Sequence, residues 1–384
     1  MTDRIYLDWN ATAPLRPQAR AAALAALDIA GNPSSVHAEG RAARRLIEEA
    51  REKVAALVAA DPRNVVFTSG GTEANMLALT PASGPDGKTP DRLLISALEH
   101  PSVLAGGRFA AAAVQRVPAT GDGRIDLAAL AALAGRRALV SLMLANNETG
   151  VVQPVSEAAR LTHEAGGVLH VDAVQAAGRI PCDISAIGAD LLTLSGHKIG
   201  APKGVGAVVR RDAAVPFPAP LIKGGGQERG ARAGTENVAG IAAFGAAAAA
   251  ALVDLDAEAG GMRALRDRLE AGLRSASPDL LVFGAEAERL PNTTLFALSG
   301  MKAETAVIAF DLEGVAVSSG AACSSGKVQP SHVLAAMGVP PRLARAAVRV
   351  SLGPTTTQSE IDRTIQAWIR ISSALPKETR GIAA

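Results

Sequence analysis

Short, unbroken apolar runs alternate along this chain with stretches of helical spacing. The runs fall at 65–67, 93–96, 138–144, 168–171, 191–194 and 205–209, and most are separated by patterns such as 72–79 and 155–165. Strands buried on both faces read as continuous apolar runs. Their alternation with helices predicts βαβ units and a mostly parallel sheet sandwiched by helices. Ahead of the first run, Leu46, Ile47, Ala50, Val54, Leu57 and Val58 share one helix face, with Ser34 or Ser35 as the cap and "DPRN" as the stop. From 238 to about 273 the chain is rich in Ala, Leu and Glu, which predicts long helices that leave the sheet and break at Gly260 and Gly261. The remainder mixes shorter strands (293–297, 315–318) with helices (305–312, 360–375), the pattern of a smaller α+β domain. The expected fold class is α/β with that second domain attached.

In a doubly wound sheet, ligands bind beyond the carboxyl ends of the strands, so the residues that follow each run matter most. After 65–67 comes "TSGGTEAN", glycines and Thr72 at a helix start, where backbone N–H groups suit a phosphate. "ALEHPSV" follows 93–96 and sets His100 on a loop; "ANNETG" follows 138–144 with Asn146 and Asn147. Asp172 and Gln175 follow 168–171, and Ser195, His197 and Lys198 follow 191–194. Five successive runs thus deliver polar groups to one edge. A buried carboxylate wants a cation or several donors, and a buried lysine loses charge. A phosphate cradle, an acid and a lysine together suit pyridoxal phosphate, with Lys198 as the carbonyl-binding amine and Asp172 holding the pyridine nitrogen protonated.

Composition narrows the classes. The 384 residues are 48% hydrophobic and 20% charged, with a formal net charge of +2, a balance without the field that nucleic acid or anionic membrane would require. The opening "MTDRIYLDWNATAPLRP" has no apolar signal core and no stretch approaches the ~20 apolar residues of a membrane span. Two cysteines, Cys182 and Cys323, make no disulfide framework, which fits a reducing compartment; a cytoplasmic location is expected. Cys323 sits among Ser, Ala and Gly in "AVSSGAACSSGKVQPSH", an accessible loop by pattern and so a reactivity candidate, whereas Cys182 reads as a part-buried small residue. "GGGQERGARAGTENVAG" sets Arg229 and Arg232 among glycines, as an anion-binding loop would.

Taken in order, "YLDWNATAPLRP", "GNPSSVHAEGR", "FTSGGTEAN", "EHPSV", "NNETG", "HVDAVQAAG", "SGHKIGAPKGVGA", "GGGQERGARAGTENV", "SSGAACSSG" and "VRVSLG" cover the chain nearly end to end. By these motifs it resembles the NifS/IscS-type cysteine desulfurases, fold-type I pyridoxal-phosphate enzymes of class V. The resemblance implies a large cofactor-binding domain over residues 15–255 and a small domain of 1–14 and 256–384 carrying the Cys323 loop. It implies that Lys198 bears pyridoxal 5'-phosphate, that His100 stacks on the ring and moves protons, and that Asp172 and Gln175 meet the ring nitrogen and phenolic oxygen. Gly71, Thr72, Ser195 and His197 would hold the phosphate with Thr235 from the second subunit of a homodimer. Asn147 would lie beside the cofactor. Arg349, with Asn32, would take the carboxylate of L-cysteine. Cys323 would accept the sulfur as a persulfide, leaving L-alanine, and pass it to an iron–sulfur scaffold protein or another acceptor. No metal site is implied beyond a transient iron–sulfur ligation by Cys323 at such a scaffold.

Two departures stand out. Pro354 in "VSLGP" replaces an arginine common among relatives, and the chain stops soon after Leu375 where relatives often carry a longer tail for scaffold docking. A selenocysteine lyase uses almost the same site, so cofactor residues alone leave that alternative open; another class V reaction would not need Cys323.

Overall fold

The computed structural model describes residues 4–81, 89–134, 138–320 and 331–374. A two-residue strand β1 (Ile5–Tyr6) opens the chain. The main sheet follows, built from β2 (Val65–Thr68), β3 (Leu93–Ser96), β4 (Val114–Val117), β5 (Leu139–Met143), β6 (Val168–Asp172), β7 (Leu191–Ser195) and β8 (Gly206–Arg210). Its order is β2-β8-β7-β6-β5-β3-β4. Only β8 runs antiparallel, pairing β7 on one side and β2 on the other. The remaining six are therefore parallel, and their carboxyl ends share one edge. All residues of β3, β5, β6 and β7 are buried, as a sheet covered on both faces requires.

The sequence reading missed β4. Its "VQRV" is not an apolar run, because β4 is an edge strand with one neighbour and Gln115 and Arg116 are exposed. The helix Ala38–Leu57 is capped by His37, whose Nδ1 accepts from the Gly40 amide, rather than by Ser34 or Ser35; those serines are bonded in the turn that Asn32 closes. The long helical stretch breaks at Asp254, between Val238–Val253 and Leu255–Ala276, with a 72° bend. Gly260 and Gly261 stay inside the second helix, since a helical glycine costs only about 1 kcal/mol and the helix is held by its buried Met262, Leu269 and Leu273. Only that second helix leaves the sheet; Ile241, Phe244 and Ala247 of the first lie in the sheet's own core.

A second core gathers around β9 (Leu281–Val282), β10 (Thr293–Ala297), β11 (Val315–Ala316), β12 (Ser318–Ser319) and β13 (Val348–Ser351). The order β12-β13-β10-β9 is antiparallel throughout, while β11 pairs β1 in parallel. The expected strand at 315–318 is thus two strands in different sheets. Trp368 is fully buried there, edge-on to Phe296 and stacked on Phe310. Ile5 and Leu7 join this core from the start of the chain.

The stretch 224–237 meets β2 at the Phe67 amide and carries backbone strain there. Glu228 and Arg229 take left-handed backbone conformations, φ 47° and 56°, a strain non-glycine residues hold only when other contacts fix them. The fixing contact is buried. The Glu228 carboxylate accepts from Arg51 Nη1 and Nη2 at 2.8 and 2.9 Å and from the Phe67 amide at 2.9 Å. Glu228→Ala should cost on the order of 3 kcal/mol, because it removes the buried partner of Arg51 and leaves that charge only the half-exposed Glu48 and the Val65 carbonyl. Urea unfolding checks this, and Arg51→Met in the same chain should restore part of the loss.

Candidate active site

The shared carboxyl edge of β2, β3, β5, β6 and β7 opens into a cavity of about 230 Å³. Lining it are Gly71, Thr72, His100, Asn147, Asp172, Gln175, Ser195, His197 and Lys198, nine of the residues singled out above, joined by Asn75, Ser102, Met143, Ala145 and Val174.

Lys198 follows β7 on a single tight turn. Its Nζ donates to the carbonyls of Asn10 and Ala11. Burial pushes its ammonium down to about 7, helped by Arg349 and Arg179 and opposed by Asp8 and Asp172. The unfolded lysine, at 10.5, binds more protons than the folded one between those two values. Stability from this group therefore rises as pH climbs from about 7 toward 10.5. In cofactor-free protein, acylation of Lys198 by an amine-reactive ester should gain speed through about pH 7 and then level off. Peptide mass mapping reads this directly. A Lys198 that reacts like the exposed lysines, still accelerating near 10, would refute it.

Asp172 ends β6 with both oxygens held: Oδ2 accepts from Asn75 Nδ2 at 2.8 Å and Oδ1 from the Val174 amide at 2.9 Å. Asn75 also donates to Ser102 Oγ and accepts from Thr193 Oγ1, so its amide orientation is fixed. Ser102 in turn meets His100 Nδ1 at 2.7 Å, and the Ser102 amide donates to the same nitrogen. An Nδ1 that accepts a backbone N–H carries no proton in the neutral ring, so His100 presents Nε2–H to the cavity. Burial favours that neutral form, with Lys198 and His332 adding to it and Asp172 opposing. His197 is likewise held down to about 4, first by burial and then by Lys198, Lys203 and Arg179.

The cavity also offers a place for an anion. The helix Gly71–Ala78 begins there without a side-chain cap, leaving its first N–H groups available. A Cβ at Gly71 would press on Ser195 Cβ and Val174 Cγ2 at 3.2 Å, so glycine lets the helix start approach the cavity floor.

Arg349 lies on β13, buried, behind this site. Nη1 donates to the Asn147 carbonyl at 3.0 Å and Nη2 to Asp8 Oδ1 at 2.8 Å, while Nε has no partner among the described residues. Asn32 stands apart: it is exposed, and its Oδ1 closes its own turn on the Ser34 amide. Thr235 lines a separate cavity with Thr68, Gly204 and Arg232. Cys323 lies outside the described residues. Cys182 is buried, and burial pushes its thiol up to about 12.

Sequence reasoning missed Asp8, Asn10, Asn75 and Arg179. Asn75 was within reach: it lies one helical turn beyond Gly71, on the same face. Asn10 gives its carbonyl to both Lys198 and Gln175, a backbone role no side chain announces. Among the described residues, no group of three or more His, Cys, Asp or Glu could hold a metal, and no single helix is long and apolar enough to cross a membrane.

Known proteins resemble this chain in both sequence and fold. The model of the family described as aminotransferase class-V matches residues 5–364. A cysteine desulfurase of Cereibacter sphaeroides is 47% identical over 373 residues, 95% of this chain and 94% of that one. One from Trichormus azollae is 43% identical over 379 residues, 97% and 93% of the two chains. Among solved structures, a NifS-like protein from Rickettsia africae superposes with a TM-score of 0.87 at 35% identity, covering 97% of this chain and 100% of the other.

Proposed function

Because the chain belongs to the cysteine desulfurases of the class-V aminotransferase family, we propose that it converts L-cysteine to L-alanine with pyridoxal 5'-phosphate on Lys198 and passes the sulfur to Cys323. One observation carries this reading: a lysine amine near neutrality and a doubly held aspartate face one cavity that an uncapped helix start also borders. That donor set fits the cofactor. Gly71, Thr72, Ser195 and His197 would hold its phosphate, Asp172 its ring nitrogen, Gln175 its ring oxygen, and His100 its face.

Bound there, pyridoxal phosphate would supply an electron sink that makes the Cα proton of an amino acid acidic. The residues of this chain do the rest. Arg349, beside Asn147, takes the substrate carboxylate, without help from Asn32, which stands apart from the cavity. The neutral Lys198 amine removes the Cα proton and later returns one. Neutral His100 serves proton transfers through Nε2. Cys323, as thiolate, attacks the sulfur of cysteine: the S–S bond forms, the Cβ–S bond breaks, and its electron pair stays on the three-carbon fragment that leaves as alanine. The sulfur remains on Cys323 as a persulfide, to be handed to an iron–sulfur scaffold protein or another acceptor.

The working assembly in this reading is a homodimer, with Thr235 of one copy completing the phosphate site of the other. Residues 15–255 form the cofactor domain, and 1–14 with 256–384 the domain that carries Cys323. Purified protein should show the absorption band of lysine-bound cofactor and yield alanine and sulfide from L-cysteine with reductant. Protein that stays colourless with added pyridoxal phosphate would sink the proposal. A strong preference for selenocysteine would move it to the lyases.

A further inference from the structure

Arg179 is almost entirely buried, yet no carboxylate lies within ion-pairing distance of it among the described residues. A buried guanidinium without a counter-charge is costly and calls for a reason. Its contacts are specific. Gly178, at φ 72° and packed against Ala251 and Ile199, turns the chain so that Arg179 folds back on the residue four before it. Nη1 then donates to both the Gln175 carbonyl and Gln175 Oε1, at 2.5 and 2.7 Å. Gln175 Nε2 in turn donates at 3.0 Å to the Asn10 carbonyl, the oxygen that also receives Lys198.

This chain of bonds can be read in only one direction. A guanidinium has donors and no acceptor, so the Gln175 atom facing it must be the oxygen. A carbonyl only accepts, so the atom facing Asn10 must be the amide nitrogen. We propose that Arg179 is a positioning residue: it locks the Gln175 amide so that Nε2 is the atom presented at the Lys198 end of the cavity. The inference rests on the cofactor reading above, in which Gln175 meets a ring oxygen. An anionic oxygen needs a donor there, and a turned amide would offer it a repelling oxygen instead. The same guanidinium adds positive charge near Lys198, where Arg349 and Arg179 work against Asp8 and Asp172 and where His100 and His197 are both held neutral.

The test is a double-mutant cycle on cofactor affinity, with Arg179→Met, Gln175→Met, the double variant and Arg179→Lys. Methionine replaces an unpaired buried charge with an apolar chain of similar length, so folding should survive. Each single variant should weaken pyridoxal phosphate binding on the order of tenfold, the value of one hydrogen bond to a charged group. The double variant should be no weaker than either single, because Arg179 acts through Gln175. Arg179→Lys should recover most of the affinity. The pH midpoint of the holoenzyme's absorption band should rise on the order of half a unit in Arg179→Met, and stay near wild type in Arg179→Lys. Additive losses, or wild-type affinity in Arg179→Met while Gln175→Met is weak, would overturn the positioning role alone. Wild-type affinity in Gln175→Met would instead overturn the contact between Gln175 and the cofactor, and the proposal with it.

Discussion

Lys198→Ala is expected to fold, to bind pyridoxal phosphate weakly without the lysine-bound band, and to lose turnover by on the order of 10⁴ or more. Three facts set the size of that loss. The amine is the one basic group held near neutrality inside the cavity, since burial drives it down to about 7. His100 cannot replace it as the anchor, because its ring is kept neutral and its Nδ1 is engaged by Ser102. The lysine is also tied by two backbone carbonyls, those of Asn10 and Ala11, which fix where the nitrogen stands. Removing it should spare stability, since a buried lysine is itself a cost and only those two carbonyls lose a donor. Thermal unfolding, the absorption spectrum and an alanine assay on one preparation separate these claims. Retained turnover within tenfold of wild type would place the proton transfer elsewhere.

The second large effect is at the sulfur acceptor. Cys323→Ser should keep the cofactor band, because no residue proposed to hold the cofactor is touched, yet lose sulfide and alanine production to background. Cys182 cannot stand in for it. Its thiol is buried, donates to the Ile180 carbonyl at 3.3 Å and is pushed up to about 12. The thiolate is the nucleophile, and at neutral pH Cys182 is almost wholly thiol. Cys182→Ala should accordingly retain activity within about twofold, the level expected away from the reacting groups. Assays of both variants with L-cysteine and a reductant distinguish the two cysteines. Undiminished products from Cys323→Ser would remove the persulfide step and reopen a lyase-type release of sulfur.

Much of the site could be read from the chain because a parallel sheet writes it locally. Asp172 and Gln175 come directly after the run that becomes β6, and Ser195, His197 and Lys198 after the run that becomes β7. Nothing more than strand direction was needed to gather them. The rest depends on distant pairing. Asn10 reaches Lys198 across 188 positions, and Asp8 reaches Arg349 across 341; no spacing encodes such contacts. Arg179 was hidden differently, since an arginine after a glycine reads as a solvated turn until Gln175 is seen folded beneath it. The sheet showed the same divide. Runs with two buried faces were visible, whereas the edge strand β4 was not. The antiparallel sense of β8 depends on the tight turn after Lys198, which returns the chain beside β7 without a crossover helix.

The segment from Ile5 to Ala13 has a consequence for how the protein is made. Ile5 pairs with Val315, and the Asn10 amide donates to Ser351 Oγ, while the Asn10 carbonyl receives Lys198. Closing so long a loop adds little to the equilibrium cost, since that cost grows only with the logarithm of length. It does set an order of events. During synthesis the segment can meet the sheet first, where the Ala13 amide donates to the His197 carbonyl, and its bond to β13 through Ser351 can form only later. The sheet and its lysine can form earlier, but the carbonyls that fix Lys198 arrive only when the opening segment docks. A ribosome-bound chain short of residue 351 should therefore hold the Asn10 carbonyl, and with it Lys198, less firmly than a chain in which β13 has formed.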